Sequence, residues 1–201
     1  MNAALKRGFD LLASAAALLL LWPLLLVIAM LIKLDSPGPV LFRQSRLGKE
    51  GRIFHLLKFR TMVQNAERRG PSITTHRDPR ITRIGHLLRR FDLDELPSLW
   101  NVLRGEMSIV GPRPEVPKFL PYYTGAFRQA LAVRPGLTDP ATLAFRQEAA
   151  WLDGDAEDAY TRDILPRKLA LQVEYARTQR LITDLAVIGR TLRAILLQRK
   201  G

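Results

Sequence analysis

FDLLASAAALLLLWPLLLVIAMLI, residues 9–32, is apolar almost without interruption. A straight helix of that length reaches roughly 36 Å, enough to cross a hydrocarbon core of about 30 Å. A cleaved leader would have a shorter apolar core ending at a small-residue site, whereas this run passes into Ile32-Lys33-Leu34-Asp35. Membrane attachment is therefore the first expectation, and its geometry has two readings. One is a plain spanning helix. The other is a re-entrant hairpin that enters and leaves by the same face, and two features favour it. Pro23 lacks an N–H and its ring opposes the carbonyl of Leu19, so a kink is expected in mid-run. Basic residues also flank both ends, Lys6 and Arg7 before the run and Lys33, Arg43, Arg46 and Lys49 after it, so neither end is marked as the outer one. Each arm of a hairpin would reach about 15–20 Å, to mid-bilayer.

The chain as a whole is strongly basic, with 31 Lys+Arg against 19 Asp+Glu in 201 residues, a net charge of +12. That balance suits an anionic partner: nucleic acid, an acidic bilayer surface or a phosphate-bearing substrate. The absence of cysteine excludes disulfides, thiolate zinc sites and cysteine nucleophiles. His55, His76 and His86 have no paired metal-ligand spacing. His76-Arg77-Asp78 has the form of a kinase catalytic loop but lacks the glycine-rich loop and DFG that would accompany it. No Walker or dinucleotide-binding glycine pattern is present, and no ribonucleoprotein or zinc motif supports a nucleic-acid partner.

Asp35-Ser36-Pro37-Gly38-Pro39 reads as a turn-rich link. Extended runs near Val40–Gln44 and Arg52–Phe59, joined by Gly48-Lys49-Glu50-Gly51, predict a hairpin whose second strand ends in Lys58-Phe59-Arg60. Arg80 to Phe91 predicts an amphipathic helix striped by Ile81, Ile84, Leu87, Leu88 and Phe91, and a second apolar helix is expected over Leu181–Leu197. Residues 117–176 show few clear periods. The acidic run 153–158 reads as a solvated loop or helix start rather than a metal site.

Arg89-Arg90-Phe91-Asp92-Leu93-Asp94-Glu95-Leu96-Pro97 is the most informative stretch, with a structural and a chemical reading. Asp92 and Glu95 have the spacing of a helix capping box, and acidic residues suit a first helical turn. A cap, however, needs neither a second carboxylate at Asp94 nor a preceding arginine pair. Adjacent ionised carboxylates repel, and Mg²⁺, which prefers one or two carboxylates with phosphate oxygens, is a natural neutraliser. A carboxylate can also attack phosphorus, with arginines stabilising the transferred charge. Downstream, Pro112-Arg113-Pro114 fixes the backbone around one arginine.

LKFRTM (57–62), LDELPSLWNVLRGEMSIVGPRPE (93–115) and VRPGLT (133–138), in that order and behind a Lys-Arg-x-Phe-Asp start with its proline-centred apolar run, resemble the bacterial sugar transferases known as monotopic polyprenyl-phosphate phosphoglycosyl transferases. The resemblance covers nearly the whole chain. It implies an α+β, mainly α fold: a re-entrant membrane anchor over residues 1–36, and a catalytic domain over 37–201 with a small sheet and interfacial amphipathic helices. It implies transfer of a sugar-1-phosphate from a UDP-sugar to undecaprenyl phosphate with release of UMP, on the cytosolic face of the bacterial inner membrane. By the same resemblance Asp94 is the nucleophile that holds a covalent phosphosugar, and Glu95 helps bind Mg²⁺ and organise the acceptor step, so both are expected as metal ligands. Arg89, Lys58, Arg60, Arg113 and Arg134 are expected to contact phosphate or nucleotide, and Pro23 to form the membrane kink. A homodimer is expected by analogy, and nucleic acid is not. The chain departs from the pattern at Trp22, where many members have Ser, and at 139–146, where many continue Gly-Trp-Ala-Gln-Val. It lacks the multi-span N-terminal region of larger relatives, which implies the minimal catalytic form. The competing reading is a non-catalytic membrane-surface protein that binds anionic lipid or polyprenyl phosphate, for which the Asp94-Glu95 pair has no use.

Overall fold

The structure, a computed structural model, describes residues 3–66, 78–146 and 156–197. His76 and Arg77 lie outside the described residues, as do residues 153–155 of the acidic run. The described chain is mainly helical with two small two-stranded sheets.

Helix α1 runs from Ala3 to Asp35 and continues through Pro23, where the sequence predicts a bend. Leu and Ala, the best helix formers, dominate it. It is long and apolar enough to cross a membrane, and its middle faces away from the protein: Leu12 is 75% and Leu20 79% exposed. Only near its ends does it bury side chains, Lys6, Asp10 and Ser14 at one and Ile28 and Ile32 at the other.

Strands β1 (Leu41–Leu47) and β2 (Ile53–Phe59) form the expected antiparallel hairpin, with Leu41 opposite Phe59 and Leu47 opposite Ile53. Its tight return places Glu50 and Gly51 at positive φ. The free edge of β2 is closed by Asn101, which accepts from Leu57 N (3.0 Å) and donates to His55 O (2.8 Å), so those backbone groups stay paired on burial. Helix α2 spans Arg83–Arg90, starting three residues later than the sequence pattern suggests. Arg80 forks onto Asp78, Ile81 pairs with Met62 as an isolated bridge, and Thr82 caps the helix through Gly85 N (3.0 Å). A 3₁₀ turn, Leu93–Ser98, then leads into α3 (Leu99–Arg104), which Gly105 ends at φ +82°.

Strand β3 (Ser108–Val110) pairs in parallel with β4 (Gly136–Thr138). Gly111 and Gly136 touch backbone to backbone here; a Cβ on Gly136 would stand 2.1 Å from Gly111 N, so no side chain fits. Between these strands run 3₁₀ segments Pro117–Tyr122 and Gly125–Ala132. Helix α4 (Pro140–Ala144) follows β4. Helix α5 (Ala156–Ala159) continues through a π turn into α6 (Leu165–Thr178), and α7 spans Leu181–Leu196.

The core is divided. Leu47, Phe119, Tyr160, Leu165 and Leu169 pack the hairpin against α6. Phe54, Leu56, Val102 and Met107 join β2 to α3. Ile28 and Ile32 of α1 pack on Phe59 and Leu88, so the apolar helix is seated on the strand and helix that carry Lys58 and Arg89.

Candidate active site

Helix α2 stops at Arg90 and the chain reverses through Asp92, whose φ of +54° lies in the left-handed region. The capping-box reading fails here. Asp92 makes no cap hydrogen bond; its carboxylate instead accepts from Arg146 (2.7 Å). In the 3₁₀ turn that follows, residues three apart share a side. Leu93 and Leu96 both pack on the Ile28–Leu88 cluster, which leaves Asp94 and Glu95 facing away from it. Ser98 Oγ donates to Glu95 O and tightens the turn.

Glu95 sits in a cage of cations. Lys58 Nζ donates to Oε1 at 2.8 Å, Arg113 Nη1 to Oε2 at 3.1 Å, and Arg113 Nη2 to Oε1. This bidentate grip with a lysine beside it is the strong form of carboxylate pairing. Burial works against ionisation of Glu95, whose side chain is 19% exposed. Arg113 and Lys58 outweigh that effect and hold its carboxyl far below the usual range. Asp94 is the opposite case. It is half-buried and takes no side-chain hydrogen bond or ion pair among the described residues. Burial pushes its carboxyl up; Lys58 opposes and the Glu95 charge adds to the push. One carboxylate is thus neutralised and immobilised, while its neighbour is open and more basic.

The Gly-Pro-Arg-Pro turn is fixed from several sides. Gly111 N donates to Thr138 O and Gly136 N to Pro112 O, both at 3.0 Å, while Arg113 N donates to the buried Asp139 carboxylate at 3.0 Å. Arg46 Nη1 donates to Pro114 O (2.9 Å). Arg46, Lys58, Glu95, Ser98 and Arg113 line one small cleft.

The remaining predicted cations divide. Arg89 lies beside the pair: its Nε donates to Thr61 Oγ1 (2.8 Å), and Asp94 is the largest charge opposing the downward pull of burial on its guanidinium. Arg60 is buried, with its guanidinium on Ser36 O (2.7 Å), Ser36 Oγ (3.0 Å) and Pro37 O, so it ties the link after α1 to the end of β2. Arg134 is exposed and donates through Nε to Gly105 O (2.8 Å). Pro23 lies in the exposed middle of α1, away from the cleft. Arg46 and Asp139 were missed as site residues. The hairpin register pairs residues whose numbers sum to 100, so Arg46 opposite Phe54 shares a face with Lys58 opposite Phe42; aligning the strands across their glycine turn would have found it.

Among the described residues no cluster of three His, Asp or Glu side chains is placed to hold a metal. The donor set still fits Mg²⁺, which needs only one or two carboxylates when phosphate oxygens complete its shell. Asp94 offers open oxygens, whereas Glu95 contributes only by exchanging a contact with Lys58 or Arg113.

Comparison with known proteins bears on the family. The chain is 41% identical to an undecaprenyl-phosphate glucose phosphotransferase from Komagataeibacter xylinus, over 98% of this chain and 36% of that protein. It is 39% identical to a UDP-N-acetylgalactosamine-undecaprenyl-phosphate N-acetylgalactosaminephosphotransferase from Aeromonas hydrophila, over 96% of this chain and 44% of that protein. It is 40% identical to a UDP-glucose:undecaprenyl-phosphate glucose-1-phosphate transferase from Caulobacter vibrioides, over 95% and 69%. The chain therefore spans less than half the length of the first two relatives. The model of the family described as bacterial sugar transferase matches residues 1–198. The likeness read from residues 57–62, 93–115 and 133–138 thus holds along the whole chain, which belongs to the bacterial sugar transferase family.

Proposed function

We propose that the protein transfers a sugar-1-phosphate from a UDP-sugar to undecaprenyl phosphate. The observation that carries the reading is the contrast within one dipeptide: an unpaired, more basic Asp94 beside a Glu95 neutralised by Lys58 and Arg113. Asp94 attacks the sugar-bearing phosphorus, the bond to the bridging oxygen breaks, and UMP departs with that electron pair. The phosphosugar is then held on Asp94 as an acyl phosphate. An oxygen of undecaprenyl phosphate attacks the same phosphorus and frees Asp94. Lys58, Arg89 and Arg113 face the charge that builds on the transferred group. Arg60 and Arg134 act at one remove, through the backbone they hold. Asp94 and Glu95 are the groups that would hold Mg²⁺, which when bound neutralises diphosphate charge.

The same reading places the protein on one side of the membrane, the cytosolic face of the bacterial inner membrane. Near its N-terminus α1 is tied to β3, where Asp10 Oδ1 accepts from Ser108 Oγ (3.0 Å) and Ile109 N (3.1 Å). Near its C-terminus Asp35 Oδ2 accepts from Ile84 N of α2 (3.1 Å). A helix docked at both ends on one body supports a re-entrant anchor over a spanning one. Helix α7, with Ile182 81% exposed and Leu185 and Leu192 also outward, has Arg190 and Arg193 among them and suits the interface. Labelling single cysteines at residues 3 and 50 in intact cells is expected to find both shielded from outside. External labelling at residue 3 alone replaces the hairpin with a span.

The chemistry is tested by incubating the protein with a UDP-sugar that it turns over, quenching, and mapping adducts by mass spectrometry. A phosphosugar on Asp94, absent from Asp94→Asn, is expected. Inversion at phosphorus with no adduct in a rapid quench sinks the covalent route and favours direct transfer.

A further inference from the structure

Arg113 is gripped at both of its own backbone polar groups by side chains from outside its turn. Its N–H donates to Asp139 Oδ2 (3.0 Å), and its carbonyl accepts from Gln172 Nε2 (3.4 Å). The same amide nitrogen donates to Asp139 Oδ2 (3.2 Å), which closes a triangle. Both partners are buried, Asp139 at 0% and Gln172 at 1% exposure. The amide orientation follows from chemistry: Gln172 faces two acceptors, so its NH₂ and not its oxygen must point at them. Asp139 is held in turn, because its other oxygen caps α4 through Thr142 N. Pro112 and Pro114 bracket Arg113, so neither neighbour has an N–H through which a strand ladder could hold this backbone.

We propose that Asp139 and Gln172 are positioning residues for Arg113. They fix its backbone so that the guanidinium meets Glu95 in the bidentate arrangement, and neither touches substrate. The inference rests on the transfer reading above for its kinetic consequence, but not for its geometry. It gives a use to Asp139, which begins the segment where this chain leaves the family pattern. The turn between the two prolines supplies stiffness; the clamp supplies direction. A guanidinium free to swing would still be cationic, yet it would pair with Glu95 only part of the time and leave that carboxylate's burial uncompensated.

The test uses Asp139→Ser and Gln172→Met in the full chain. Serine still caps a helix but withdraws the oxygen that reaches Arg113; methionine keeps the volume of glutamine without its donors. With a UDP-sugar that the unaltered protein uses and undecaprenyl phosphate as acceptor, Asp139→Ser is expected to lower kcat about tenfold or more. Gln172→Met lowers it about threefold, since the Asp139 contact remains, and KM for the donor changes little in either variant. In an Arg113→Ala background the same two changes have no further effect, because they act only through that side chain. A general loss of structure would instead multiply through the double variants. Independently of turnover, ¹⁵N-arginine NMR in nanodiscs is expected to show slowly exchanging Arg113 Nη–H signals that collapse in Asp139→Ser. Unchanged signals, or kinetic losses that multiply on Arg113→Ala, overturn the clamp. Collapsed signals in a protein that transfers no sugar phosphate leave the clamp standing and overturn the transfer reading.

Discussion

Two carboxylate clusters in this chain use the same ingredients to opposite ends. At the cleft, Glu95 lies between Lys58 and Arg113 with Asp94 open beside it. At the joint between α1 and the body, Asp10 accepts from Lys6 (3.1 Å), Ser108 and Ile109, while Lys6 also pairs with Asp184 at 2.8 Å and Tyr175 donates to Asp184 at 2.7 Å. The joint gathers three donors on Asp10 Oδ1, and the side chain is 2% exposed. The cleft satisfies one carboxylate so completely that its neighbour goes without a partner. Buried charge alone therefore does not mark function; an unpaired group held next to a neutralised one does.

The largest effects come from crossing the two clusters. Asp94→Asn is expected to reduce transfer on the order of 10⁴-fold or more, as loss of a nucleophile does, with stability changed by less than about 0.5 kcal/mol because no partner is orphaned. Asp10→Ala should do the reverse. It strands Ile109 N, while Ser108 Oγ keeps Val110 O (2.9 Å), and lowers stability by about 2–4 kcal/mol, less than a fully broken buried pair because Lys6 keeps Asp184. Activity per folded molecule then stays within about threefold, a small change by the same reasoning. Denaturant unfolding beside transfer assays decides it. Equal damage to both properties in both variants erases the contrast.

Next in size is the pH dependence. On the proposed route Asp94 attacks as the ionised form, and burial lifts its carboxyl above the ordinary range, so the acid limb of the rate profile is expected above that of a free aspartate near pH 4. Glu95 contributes with the other sign to stability. Its folded value is depressed, so its contribution is present above the unfolded value and is lost as pH falls through the folded one. In Glu95→Gln the Glu95 charge that pushes Asp94 up is gone, and Lys58 is released to pull it down. The acid limb should move to lower pH while the plateau falls about 10–100-fold, the scale for removing a positioned electrostatic partner. A limb that stays put or rises means that Asp94 does not feel Glu95 as the geometry requires.

How much of this was legible follows from the range of each interaction. The hairpin announced itself because Gly48–Gly51 separates two short extended runs, and α7 because its apolar pattern is continuous; its end at Leu196 falls within one residue of expectation. Helix α2 was placed three residues early because Ile81 extends the apolar stripe with Arg80 off it, and the pattern does not reveal that Arg80 folds onto Asp78 instead. Residues 117–132 looked aperiodic because they are 3₁₀ turns, whose short runs carry no 3.6-residue signature. The β3–β4 pairing joins three-residue strands across more than twenty intervening residues and leaves no pattern at all. The candidate site was legible as a motif, in that the fold brings Asp94, Glu95, Lys58, Arg89 and Arg113 to one place. What the motif did not hold is what lies behind it, Asp139 on Arg113 N and Arg46 on Pro114 O, each a side chain reading distant backbone.

The smallest effect is expected where the motif and the geometry part most. Arg113 and Arg134 are both motif arginines flanked by proline, and the sequence ranks them alike. In the fold Arg113 grips Glu95 bidentately from a clamped backbone, whereas Arg134 is exposed and spans only to Gly105 O at the end of α3. An exposed contact of that kind contributes about 0.5 kcal/mol or less. Arg134→Ala should therefore leave transfer within about twofold and donor KM unchanged, where Arg113→Ala loses one of the two cations neutralising Glu95 and falls about a hundredfold or more. Steady-state kinetics on the pair is enough. Equal losses would mean that substrate draws Arg134 across to the phosphates, and that the cleft in the bound state is lined from β4 as well as from β2 and the Gly-Pro-Arg-Pro turn.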